Sequence, residues 1–80
     1  MRRDAAYLLD ILIAAQEARQ FTTDVTWEQF RKSRLHQNAV IKALETIGEA
    51  AGRVSSETRV AYPGLPWPEM VGMRNRLVHG

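Results

Sequence analysis

The residues with the clearest chemical potential lie in the segment GMRNRLVHG, at positions 72–80. It contains two arginines, an amide and an imidazole: Arg74, Asn75, Arg76 and His79. On a helix, positions five apart, such as Arg74 and His79, are separated by about 140°, whereas positions four apart share a face. Asn75 and His79 therefore face the same way, with Arg76 beside them and no carboxylate in the set. Because two helical ligands of one metal usually lie four apart, the spacing of Arg74 and His79 is poor for a metal ion. The two cations and the lack of a carboxylate suit an anion better.

A phosphodiester is the anion for which this combination makes chemical sense. Metal-independent cleavage of RNA requires a base for the 2′-hydroxyl, an acid for the leaving oxygen and a cation for the charged transition state. Histidine can transfer protons near neutral pH, and arginine binds phosphate oxygens through planar donors. The segment offers one histidine, His79, for two proton-transfer roles. A symmetric dimer that brings two copies of the segment together would supply both.

The same residue types also have structural interpretations. Arg74 and His79 could complement the dipole at the end of a helix, since R-x4-H spacing is common by chance. We expect His36 to be a solvated residue at a helix start. Trp27 and Trp67 are expected to be packing anchors of loops rather than base-stacking platforms. The basic residues in the middle of the chain are expected to form a solvated face: Arg31, Lys32, Arg34 and Lys42.

The composition narrows the class of protein. The 80 residues carry a formal net charge of +2 and no cysteine, which excludes disulfides and thiolate metal sites. This charge is compatible with nucleic-acid binding but does not by itself indicate it. Asp4 and Asp10 interrupt the apolar N-terminal segment and argue against a signal peptide. No uncharged run approaches the roughly 18 residues of a membrane span. We therefore expect a cytoplasmic protein without a membrane segment.

The elements that position the motif are predicted to be helices. Apolar residues at helical spacing predict a first helix over about residues 4–21. Thr26 and Gln29 match the S/T-x-x-E/Q capping box, which predicts a short helix that begins at Trp27. Ser33 offers a second possible cap for the helix that follows.

The clearest apolar pattern follows that cap. Its residues are spaced four, three, four and three positions apart: Val40, Leu44, Ile47, Ala51 and Val54. Gly48 and Gly52 form a smooth strip where another backbone could approach, which would offset a helix cost of about 1 kcal/mol per glycine. The prolines and glycine of residues 55–69 argue against a long helix there, and Pro68 fits the first turn of a last helix. We predict an all-α antiparallel bundle: two long helices, a short one between them and a C-terminal helix with the motif.

Three segments resemble the HepT-like members of the HEPN superfamily, in that family's order and spacing. They are YLLDILIAAQEARQFT, AVIKALETIGEAAGRVS and YPGLPWPEMVGMRNRLVHG, which together cover nearly the whole chain. The resemblance implies a helical bundle that dimerises. It also implies a metal-independent endoribonuclease, in many members the toxin paired with a small nucleotidyltransferase antitoxin. The family's R-x4-H motif falls on Arg74 and His79, which implies that they are catalytic and line a cleft at the dimer interface. Its polar residue falls on Asn75, which we assign with Arg76 to binding RNA phosphates.

The resemblance predicts a single HEPN/HepT-like domain over residues 1–80, with an RNA substrate, a homodimer, a nucleotidyltransferase antitoxin and no metal or other cofactor. Family members usually continue after the HG pair with a tyrosine and a further helix. We therefore expect a bundle that is truncated at its C-terminus and lacks this closing segment. The alternative is a non-catalytic helical interaction module, or an inactive remnant, that binds a nucleotidyltransferase partner. A helix-turn-helix DNA-binding protein is less favoured, because no helix has a strongly basic face.

Overall fold

A computed structural model describes the backbone of residues 2–79 and the side chains of residues 3–73. The chain forms five helices, which are α1 (Arg2–Thr22), α2 (Trp27–Lys32), α3 (Arg34–Arg53), α4 (Ser56–Ala61) and α5 (Trp67–His79). No strand occurs within residues 2–79. The predicted all-α bundle is therefore confirmed. In the same part of the chain, no helix has both the length and the apolar character needed to cross a bilayer.

The hydrophobic core lies where α3 packs between α1 and α5. Its buried residues come from these helices and from the segment after α3: Ala14, Ile47, Ala51, Val54, Trp67 and Met70. The apolar seam predicted for α3 is confirmed at Ile47, Ala51 and Val54, which are buried. Val40 and Leu44 are half-buried. The seam therefore packs most closely in the C-terminal half of α3.

The two glycines of α3 differ in their surroundings. Gly48 is buried, whereas Gly52 is exposed. A Cβ atom built on Gly52 would lie 3.9 Å from Cγ1 of Val71 in α5, which is an ordinary van der Waals contact. The atom that approaches Gly52 belongs to a side chain. The prediction that this strip admits a close backbone approach is therefore wrong at Gly52.

The connection between α1 and α2 has the predicted capping residues. The Thr23 hydroxyl donates to the carbonyl oxygen of Arg19 at 2.8 Å near the end of α1. Asp24 follows with φ of 60°, in the left-handed region that Asp adopts more readily than most residues. Thr26 and Gln29 then form the capping box, with N···O distances of 3.0 and 3.1 Å. The predicted start of α2 at Trp27 is confirmed.

The short helix α4 was not predicted. Ser55 is its N-cap, and the Ser55 hydroxyl oxygen accepts the backbone N–H of Thr58 at 3.3 Å. The helix ends at Ala61, before Pro63. The prolines therefore limit only the downstream boundary, and one capped turn and a half fits between Ser55 and the first of them.

Candidate functional site

All four motif positions, 74, 75, 76 and 79, fall within α5. The predicted catalytic positions 74 and 79 are therefore carried by a single helix, with about 140° of helical rotation between them. The side chains of Arg74, Asn75, Arg76 and His79 lie outside the described residues, and their roles stay a prediction. The described part of α5 shows how the helix that carries them is held against the bundle.

The start of α5 is fixed by Trp67, which is 6% exposed. Its indole N–H donates to the carbonyl oxygen of Tyr62 at 3.0 Å. Its backbone N–H donates to the carbonyl oxygen of Leu65 at 2.9 Å. Pro68 comes next, in the first helical turn, where its missing N–H leaves no helical hydrogen bond unmade. The prediction that Trp67 is a packing anchor is confirmed.

Arg59 of α4 joins the end of α3 to the start of α5. Its Nε donates to the carbonyl oxygen of Val54 at 3.1 Å, and its Nη2 donates to that of Ala51 at 2.9 Å. A cation at this position also opposes the negative end of the α3 dipole. The guanidinium carbon lies 5.9 Å from the centroid of the Trp67 ring, within the range of a cation–π interaction. One side chain therefore contacts both helices at the point where α5 begins.

Asp4 ties the start of α1 to the start of α4. It is buried, at 8% exposure. Its carboxylate accepts the backbone N–H of Ser55 at 3.0 Å and the hydroxyls of Ser55 and Thr58. The hydroxyl of Ser55 contributes most, ahead of Thr58 and the Ser55 backbone, and these hydrogen bonds lower the pKa of Asp4 from 3.8 to about 2. The buried carboxylate is therefore ionised at neutral pH and orients α4, which carries Arg59.

The first turns of α5 are packed against α3. Trp67 lies beside the last turn of α3, and α5 packs against α3. Met70 is buried in the core, and Val71 packs on that core from the side. Val71, one turn after Trp67, also lies over Gly52 of α3, so the first turns of α5 are packed against the C-terminal part of α3.

His36 has a structural role at the start of α3. It is half-buried, and its Nδ1 lies 2.7 Å from the hydroxyl oxygen of the N-cap residue Ser33. That oxygen also accepts the backbone N–H of His36 at 3.2 Å. The predicted place of His36 at a helix start is confirmed, whereas its half-burial and its contact with Ser33 make it less solvated than predicted. Among the residues with described side chains, no three His, Cys, Asp or Glu residues lie close enough together to hold a metal ion.

Trp27, by contrast, is not the packing anchor that was predicted. It is 71% exposed. Its ring lies against that of Phe30, with centroids 6.2 Å apart and planes inclined by 25°. The two tryptophans of the chain therefore differ in role, because Trp67 is buried at the base of α5 and Trp27 presents its ring to solvent.

Asp4 and Arg59 were missed by sequence reasoning. Asp4 binds residues 51 and 54 positions away, which no local pattern reveals. A signal for Arg59 was available, because Ser55 and Thr58 have the spacing of a helix N-cap and its N3 position. That signal would have predicted α4 and placed Arg59 in its last turn.

Comparisons with known proteins agree on one family. Residues 11–80 match the family description "Ribonuclease HepT-like". "Putative RNase MJ1380" of Methanocaldococcus jannaschii is 43% identical over 79 residues, which are 98% of this chain and 72% of that protein. "Probable ribonuclease HepT" of Thermococcus cleftensis is 40% identical over 73 residues, which are 91% of this chain and 66% of that protein.

The matched relatives are longer than this chain. It spans 64%, 61% and 61% of the length of three further relatives from Methanocaldococcus jannaschii, which are 39%, 39% and 36% identical to it. No solved structure gives a significant match. The family match covers most of the chain and includes the described core of α3 and α5 as well as the motif positions. The chain therefore belongs to the HepT-like ribonuclease family of the HEPN superfamily.

Proposed function

We propose that this protein is a metal-independent endoribonuclease, with Arg74 and His79 as its catalytic residues. One observation carries the proposal, namely that a chain of the HepT-like ribonuclease family has its whole R-x4-H motif on the single helix α5. The packing of Trp67 and Arg59 at the base of that helix supports it, because catalytic groups need a fixed support. The RNA substrate and the absence of a catalytic metal are part of the same proposal.

The proposed reaction is a transfer within the RNA backbone. One His79 takes the proton of a 2′-hydroxyl, and the 2′-oxygen forms a bond to the adjacent phosphorus. The bond from phosphorus to the 5′-oxygen breaks, and His79 of the partner subunit gives that oxygen a proton. Arg74 binds the phosphate oxygens as negative charge builds on them, and Asn75 with Arg76 holds neighbouring phosphates. The products are a 2′,3′-cyclic phosphate and a 5′-hydroxyl.

The two histidines of this scheme require a homodimer. Three residues on one face of α1 remain well exposed in the single chain, since Leu9, Leu12 and Ile13 are 54%, 54% and 44% exposed. Their spacing of three and four positions makes one continuous apolar strip. An exposed apolar patch commonly marks a contact site, and contact with a second copy would remove this strip from water. We propose that the dimer brings the two motif-bearing helices to a shared cleft.

The test is cleavage of single-stranded RNA in the presence of EDTA. We expect the wild type to cut and to leave 2′,3′-cyclic phosphate ends. Arg74→Ala and His79→Ala are each expected to reduce the rate by about 100-fold or more. Arg19→Ala, which truncates an exposed arginine on α1, is the matched control and should cut like the wild type. Equal cleavage by the motif variants, or a requirement for added divalent metal, would contradict the proposal.

We further propose that the ribonuclease is the toxin of a pair with a nucleotidyltransferase antitoxin. A second candidate function is a non-catalytic module that binds such a partner, and the exposed strip of α1 favours a protein contact of this kind as well. Expression in a bacterial host separates the two. A toxin arrests growth unless a nucleotidyltransferase encoded beside it in its genome is co-expressed, and Arg74→Ala abolishes the arrest. An interaction module binds the partner with no arrest and no RNA cleavage.

A further inference from the structure

The exposed ring of Trp27 has no packing role that would account for it. An indole buries a large apolar area when it serves as an anchor, yet Trp27 remains 71% exposed. Its contact with Phe30 holds the ring beside a second, half-buried aromatic residue. The arrangement presents an aromatic surface to solvent and limits the freedom of the ring.

The helix beneath that surface is fixed at both ends. A six-residue helix would not persist alone in water. At its start, the capping box of Thr26 and Gln29 binds the first free N–H groups. At its end, the side-chain amide of Gln37 donates to the carbonyl oxygens of Phe30 at 3.0 Å and Arg31 at 2.9 Å. α2 is therefore a supported platform for Trp27.

Basic residues accompany the ring. Residues 27–36 contain Arg31, Lys32 and Arg34 with one carboxylate, Glu28. Glu28 pairs with Arg31 at 3.0 Å and with Lys32 at 3.8 Å. Arg34 is exposed and forms no ion pair within the described part of the chain. The segment therefore retains positive charge next to its aromatic surface, which complements a phosphate backbone.

We propose that α2 and the start of α3 form a second RNA contact, in which Trp27 stacks on an unpaired base and Arg34 with Lys32 binds the adjacent phosphates. Aromatic stacking beside cations is the usual way in which proteins bind single strands without reading their sequence. The inference extends the proposed function, because it assumes that RNA is the substrate.

The test is binding of an unpaired oligouridylate of about 12 nucleotides, a length suited to single-strand binding sites, to the whole chain, measured by fluorescence anisotropy. Trp27→Ala is expected to weaken binding by about five-fold or more, the lower end of the usual effect of removing a stacked aromatic residue. Trp27→Phe keeps a ring and should retain most of the affinity. Val60→Ala, which truncates another apolar side chain that is 77% exposed, is the control and should bind like the wild type.

Two further measurements make the assignment specific. Stacking should quench the emission of exposed Trp27 on titration with the oligonucleotide, and Trp27→Phe should abolish that quenching because Trp67 is buried. Arg34→Ala should make the negative slope of log affinity against log salt shallower by about 0.7, as expected for one lost phosphate contact on a single strand. Circular dichroism of each variant confirms that the helices are retained.

The proposal is overturned if Trp27→Ala binds the oligonucleotide as tightly as the wild type. If that variant also loses self-association in sedimentation, the ring belongs to a protein contact instead. The proposed RNA contact and the proposed nuclease activity can be tested separately. RNA binding that depends on Trp27, in a chain that cuts no RNA, would support this site and reject the nuclease. RNA cleavage and binding that are unchanged in Trp27→Ala would support the nuclease and reject this site.

Discussion

The guanidinium carbon of Arg59 lies 5.9 Å from the ring centroid of Trp67. The same guanidinium group donates two hydrogen bonds to the last turn of α3. The base of the motif-bearing helix is therefore positioned by a side chain from α4, an element of six residues. Asp4 in turn holds the first turn of α4. A chain of contacts thus connects the start of α1 with the start of α5, and each member can be tested by substitution.

We predict that Arg59→Ala lowers the free energy of unfolding by about 1–3 kcal/mol, because two carbonyl hydrogen bonds and a cation–π contact are lost. Urea denaturation measures the change. Arg53→Ala is the control, since it removes an exposed arginine whose distance to Glu49 is 3.9 Å, and it should cost no more than about 0.5 kcal/mol. Arg59→Lys should recover only part of the loss, because a lysine lacks the planar donors. Equal losses for Arg59→Ala and Arg53→Ala would contradict the prediction.

Asp4 predicts a specific acid sensitivity. Its pKa is about 2 in the folded chain, against 3.8 for an unperturbed carboxyl. Because the folded value is the lower one, the stabilisation is fully present above about pH 4 and is lost as the pH falls toward 2. Asp4→Asn should therefore be less stable at pH 7 and show a flatter stability profile between pH 4 and pH 2. Asp10→Asn, at an exposed position on the same helix, should retain the wild-type profile in thermal melts, and identical profiles for the two variants would rule out this role.

The two tryptophans should differ in how much the same substitution changes stability. Trp67→Phe removes the hydrogen bond to Tyr62 and part of a buried contact, so we expect a loss of about 1–3 kcal/mol in unfolding free energy. Trp27→Phe should change stability by less than about 0.5 kcal/mol, as usual for an exposed residue. In fluorescence spectra, Trp27→Phe, which keeps only Trp67, should have a blue-shifted emission maximum. Trp67→Phe, which keeps only Trp27, should have the red-shifted maximum of an indole in water. A larger stability loss from Trp27→Phe would refute the assignment.

Subunit mixing tests the proposed shared cleft. If each cleft needs His79 from both subunits, a dimer with one His79→Ala subunit is expected to be inactive. Refolding wild type with an equal amount of His79→Ala should then give about one quarter of the activity of the same total amount of wild type, because about one quarter of random dimers contain two wild-type subunits. Independent active sites would instead leave about one half. Light scattering before and after mixing confirms the stoichiometry.

The helices were largely predictable because their signals are local. Thr26 and Gln29 form the capping box that their spacing indicates, and Ser33 caps α3 as proposed. The apolar seam of α3 also follows from its spacing. The start of α4 at Ser56 escaped prediction because the nearby prolines outweighed a short N-cap pattern. The exposure of Gly52 was missed since helical spacing does not reveal which residue of a partner helix lies opposite.

The motif residues of the candidate site could be predicted from the sequence, but the residues that hold the motif-bearing helix in place could not. The motif residues lie close together in the sequence, and the family resemblance implies their roles. Asp4 and Arg59 act through contacts that depend on how helices cross, which composition and periodicity do not encode. Trp27 illustrates a different limit, because an aromatic residue at a helix start is equally compatible with a buried anchor and an exposed platform until packing is known.

The concentration of contacts at Trp67 has a geometric consequence for the rest of α5. A helix of 13 residues is a rod about 20 Å long, and a tilt of about 5° at one end displaces the other by nearly 2 Å. A misplacement of about 1 Å can cost a catalytic group roughly a hundred-fold in rate. Substitutions at Trp67 or Arg59 that leave the fold intact should therefore slow catalysis far more than their effect on stability suggests. The rate of the reaction at the far end of α5 therefore depends on how precisely the start of the helix is oriented.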